Sequence, residues 1–153
     1  MILNNQSISP YYPVIPEGMK SHVRFFTTCP LTMHEAKLFN ACLEALDRYL
    51  TDTGYVFPDI AVNCCFLGSG DVSLSFGDNS DFGLYVTFAF YPVYLWRAAL
   101  LSDPKLIACM LEELCHHFFP ALDEIQVTYQ VEKIAVIIHP SLTHELLYPG
   151  MHK

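Results

Sequence analysis

A chain of 153 residues is long enough for one domain with a substantial core. Its net charge of −8, with only 8 basic residues, excludes a nucleic-acid binder, because phosphate is repelled and few cations are present to release counterions. No apolar run approaches the roughly 18 residues that span a bilayer, so no membrane span is expected, and 52% apolar against 16% charged residues leaves a thin charged surface that points to a homo-oligomer.

Residues 1–30 hold four of the ten prolines, at positions 10, 13, 16 and 30. They read as an extended N-terminal arm with a short strand over 22–27, and 31–153 reads as a single domain. The leading residues have no basic stretch followed by an apolar one, so no secretory signal is expected. The six cysteines contain no C-x-x-C pair. In a chain able to build its own core they are expected to be free, mostly buried thiols, which implies a reducing, cytoplasmic setting.

Thr32 with Glu35 three residues on is a capping box. Ala36, Phe39, Leu43, Leu46 and Leu50 then recur at helical spacing, and Gly54 stops the helix. Three strands are expected next. Residues 60–67 are almost continuously apolar and should be buried on both faces. Residues 72–76 alternate, with Val72, Leu74 and Phe76 opposite Ser73 and Ser75. Residues 82–91 are rich in Tyr, Val, Thr and Phe. The polar runs 68–71 and 77–81 connect them. The second reads as a plain loop and not a calcium loop, because Phe82 sits where a ligand is needed.

A helical turn over 95–101 precedes a helix over 105–119, opened by Asp103 as cap with Pro104 in first position and ended by Pro120. Residues 125–129 and 134–138 read as two short strands, or as one strand and a turn, and 140–153 carry no clear assignment. The expected class is α+β: an N-terminal helix, a three-stranded antiparallel or mixed sheet, a second long helix and short C-terminal strands.

The second helix carries the most informative run, from Leu111 to Phe119, with Glu112, Glu113, His116 and His117 among apolar residues. Residues four apart share a helix face, so Glu112 lies beside His116 and Glu113 beside His117. Leu106, Met110, Leu114 and Phe118 form the stripe that packs on the sheet. The wheel sets Glu112 and His116 nearly opposite it, and Glu113 and His117 at its margin. Read blandly, the four are a solvated helix end, since histidine in the last turn suits the macrodipole and Glu–His pairs support exposed helices. Cys115 and His116 diverge by about 100° as helix neighbours, which disfavours a thiol nucleophile. No nucleophile elbow is present.

The segment Glu112-Glu113-Leu114-Cys115-His116 resembles the H-E-x-x-H helix of the zincin-like metallopeptidases with its first histidine replaced by glutamate. Asp123 follows His117 by six residues and His116 by seven, similar to the third-ligand spacing of the metzincin branch. The resemblance covers about residues 32–124. It implies zinc as cofactor, Glu112, His116 and Asp123 as ligands (His117 in the alternative register), Glu113 as general base, and a peptide or protein substrate held along the strand over 82–91 by strand addition. Two carboxylates and one imidazole make a harder, weaker site than three histidines. The alternatives are an inactive, metal-free relative of that fold, and a small acidic dimeric binding or chaperone-like protein without catalytic activity, similar in outline to bacterial secretion chaperones.

Overall fold

The computed structural model describes residues 2–75 and 83–151. Among the described residues five strands and five α-helices follow one another, with a single 3-10 turn over Glu17–Met19. They are β1 (Ile2–Leu3), β2 (Val23–Thr27), α1 (Met33–Thr53), β3 (Val62–Phe66), β4 (Leu74–Ser75), β5 (Thr87–Tyr91), α2 (Val93–Ala98), α3 (Asp103–Phe118), α4 (Glu124–Ile138) and α5 (His144–Leu147). The class is α+β in one compact domain. No helix among the described residues is long and apolar enough to cross a membrane.

The three-stranded sheet has the order β2-β3-β5 and is parallel throughout, with Phe25, Cys64 and Ala89 in register. This corrects the antiparallel or mixed sheet expected from the sequence. Two features carry the correction. Strand β2, inside the proline-rich leading segment, enters the sheet and is joined to β3 by the long crossover helix that parallel pairing requires. Residues 72–75 do not join the three-stranded sheet. Only Leu74–Ser75 is extended, and it pairs antiparallel with β1 in a separate two-stranded ribbon. Their alternation signals a half-exposed strand but not its partner. Phe76, the 77–81 loop and Phe82 lie outside the described residues.

Helix α1 forms as its sequence dictates. Thr32 accepts from the Glu35 backbone, Glu35 returns the bond to the Thr32 N–H, and Gly54 closes the end at φ 64°. The two strands expected over 125–138 are instead the single helix α4. Asp123 and Gln126 form a second capping box, and Val127, Val131, Ile134 and Ala135 are buried at helical spacing. The β-branched residues there favour strand only weakly, and packing against α3 and α1 overrides that preference. Helix α3 begins at Asp103 with Ser102 at the cap position, so Asp103 opens the first turn and is not itself the cap.

Helices α1 and α3 pack on one face of the sheet, and α4 packs on those two helices. That face presents Val62, Cys64 and Phe66 of β3 with Ala89 and Tyr91 of β5 to the core. Phe66 stacks on Tyr91 at 4.7 Å and meets Phe39 of α1 edge-on at 4.8 Å, and the Tyr91 hydroxyl donates to the Met110 carbonyl at 3.1 Å. Leu106, Met110, Leu114 and Phe118 of α3 are buried. The opposite face, by strand alternation, carries Arg24, Phe26, Asn63, Cys65, Phe88 and Phe90. Phe88 and Phe90 stack there at 5.4 Å, and Phe90 is 43% exposed. The six thiols are free; five are buried and Cys109 is half-buried. Burial pushes the Cys65 thiol up to about 11 and raises those of Cys42, Cys64 and Cys115 further still.

Candidate metal centre

The last turn of α3 and the first of α4 meet across a short elbow, and the chemistry gathers there. Asp123 and Glu124 are adjacent, and capping decides which of them faces α3. The Asp123 carboxylate accepts from the Gln126 N–H at 2.8 Å, while the Gln126 side chain accepts from the Asp123 N–H at 3.0 Å. Asp123 is thereby committed to its own helix. Glu124, one residue on, brings Oε2 to 3.4 Å from His116 Nε2. Glu112, His116 and Glu124 each offer one ligand atom, and the three atoms lie within 4.8 Å of one another.

Of the ligands expected from sequence, Glu112 and His116 are brought together, while Asp123 and His117 are not part of the cluster. The wheel placed Glu112 and His116 on the face away from the core, yet both are half-buried and Glu113 is exposed. The reason is α4 and α5, which pack on the side of α3 that a sheet-only core would leave in solvent. Glu124 was missed because the metzincin spacing singled out Asp123. Its signal was the residue pair itself: in a D-E pair opening a helix, the first caps and the second is free.

Tyr148, just past α5, was also missed. Its hydroxyl donates to Glu112 Oε2 at 3.0 Å. Burial raises the pKa of that hydroxyl, and the Glu112 charge adds to the effect. Although Glu113 is exposed as a residue, desolvation of its carboxyl at the cavity wall raises its pKa; His116 opposes this, and Glu112 and Glu124 reinforce it. For His117 burial lowers the pKa, the Ile60 backbone opposes and His22 adds to the lowering. His117 Nε2 is buried without a hydrogen-bond partner.

Beside the cluster lies a cavity of about 480 Å³ between α3 and the edge strand β5. Ile60, Val62, Tyr85 and Phe88 form its apolar wall; Glu113, His116 and His117 form its polar one. Two carboxylates and an imidazole on two helices suit zinc or a harder divalent ion such as manganese or iron(II). Binding requires a neutral imidazole, so uptake should weaken in acid. Comparison of the chain with protein families, with curated proteins and with solved structures finds no match.

Proposed function

We propose that the chain is a metal-dependent peptide hydrolase of zincin-like plan, with Glu112, His116 and Glu124 as the metal ligands and Glu113 as the general base. The observation that carries this reading is the convergence of the three ligand atoms within 4.8 Å beside a cavity that Glu113 and His116 also line. A divalent metal held by Glu112, His116 and Glu124 would supply Lewis-acid activation of the attacking water. Glu113 takes the proton of the attacking water and returns it to the leaving amine. Strand β5 is paired only with β3 among the described residues. Its outer edge is available to a peptide by strand addition, which would lay the substrate along the cavity. The free thiols suit a reducing compartment such as the cytoplasm.

Purified protein should hold one equivalent of zinc. His116→Ala and Glu124→Ala should each lose it. Glu113→Gln should keep the zinc and lose peptide hydrolysis, since the base is removed and no ligand is. Wild-type protein without affinity for zinc, manganese or iron(II) would sink the proposal.

A second reading, an acidic dimeric binding protein, is favoured by the partly exposed aromatic pair on the sheet face away from the helices. Parallel sheets are ordinarily covered on both sides, and here Phe90 stands 43% exposed beside Phe88. Sedimentation of a metal-free dimer that Phe90→Glu dissociates would favour it.

A further inference from the structure

We propose that Tyr148 is a positioning residue for Glu112, fixed in place by a clamp that the C-terminal segment makes on α4; the inference rests on the metal site proposed above. The clamp is centred on His144, which is 7% exposed. Its Nε2 lies 2.9 Å from the Thr128 hydroxyl. Its ring stacks on Tyr129 at 4.3 Å with the planes 15° apart, and the Tyr148 ring packs against it at 5.2 Å, tilted by 37°. Its backbone N–H donates to Glu132 Oε1 at 2.8 Å. Thr128, Tyr129 and Glu132 all belong to α4, so a four-residue helix with little stability of its own is tied to α4 at three points.

One turn further on, Tyr148 leaves α4 for α3 and donates to Glu112 Oε2 at 3.0 Å. A glutamate at this ligand position needs such help more than a histidine would. It has three side-chain torsions to fix and two equivalent oxygens to choose between. A donor on one oxygen fixes the carboxylate plane and leaves the other oxygen for the metal, as outer hydrogen bonds do for ligands generally. The same segment ties the site together, since α4 also supplies Glu124.

The full chain, metal-free, is titrated with zinc alone in competition with a chelator of known affinity. Tyr148→Phe should bind zinc about 10–100-fold more weakly with the melting temperature of the zinc-free protein unchanged. Thr128→Val loosens the clamp at a distance from Glu112 and should weaken zinc binding in the same direction. Combined with Tyr148→Phe it should add little, because both changes act through one hydroxyl. Equal zinc affinity in wild type and Tyr148→Phe overturns the positioning role while leaving the metal site standing. If Tyr148→Phe fails to fold, unchanged affinity in Thr128→Val overturns the clamp instead. Absence of zinc, manganese and iron(II) uptake by the wild type, or uptake unaffected by His116→Ala, overturns the metal site itself.

Discussion

Single hydrogen bonds decide what each carboxylate in this chain can do. Asp123 is occupied as a cap, so Asp123→Ala should cost about 1 kcal/mol of stability and leave zinc binding as it was; a variant that lost zinc while keeping its stability would return Asp123 to the ligand set. Glu35 is bound more heavily. It accepts from the Thr32 N–H at 2.8 Å and from Arg97 Nε and Nη2, each at 2.8 Å. Burial alone would raise its pKa, but the Arg97 hydrogen bonds, the Thr32 backbone and the Arg97 charge together outweigh it, and the net shift is downward. The folded carboxyl therefore titrates below the unfolded one. Its contribution is fully present above the ordinary glutamate value of about 4.3 and is lost as pH falls through the lower folded value. Glu35→Gln should reduce the urea midpoint at pH 7 and flatten its fall between neutral and acid. Parallel pH profiles for the two proteins would show that the ion pair is not a source of acid sensitivity.

Among the elements, α3 is the one on which both core and site depend. Leu114 is fully buried in its inward stripe, and Leu114→Ala should cost about 2–5 kcal/mol in chemical denaturation. A loss below half a kcal/mol would place the wrong face inward. Between α2 and α3, Leu100 holds φ 51° and is 88% exposed. Leu100→Gly should stabilise the protein by about 0.5–1 kcal/mol, because the left-handed backbone suits glycine and no packing is lost; a lower midpoint would mean the turn is held by that side chain. Helices α1 and α3 were legible in the sequence because their caps, stops and stripes lie within a few residues of one another. Helix α4 was not, although Asp123 and Gln126 spell a capping box, because Ile125, Val127, Val131, Ile134, Val136, Ile137 and Ile138 read equally well as strand. The direction of strand pairing was beyond local pattern altogether. It depends on where β2 and residues 67–86 travel, and side-chain alternation carries no record of that. The site followed suit: Glu112 and His116 share one helix and were paired by spacing, whereas Glu124 and Tyr148 reach it through packing.

At the scale of the whole molecule, the partly exposed Phe88–Phe90 pair on the outer sheet face predicts self-association. Phe90→Glu should shift the sedimentation profile toward monomer with little change in melting temperature, since Phe90 lies off the helix-covered face; a monomeric wild type would leave that face as plain exposed surface. The distribution of thiols has a different consequence. Cys42, Cys64 and Cys115 sit in the heart of the core as protonated, water-excluded groups, and only the thiolate reacts with an alkylating reagent. Modification of these three in the native protein must therefore wait for the core to open, while half-buried Cys109 should be modified first. Their alkylation rates under native conditions become a built-in clock for opening of the sheet–helix interface. Because Cys115 lies beside His116, slowing of that one clock by added zinc would report, site by site, how much of the core the metal holds shut.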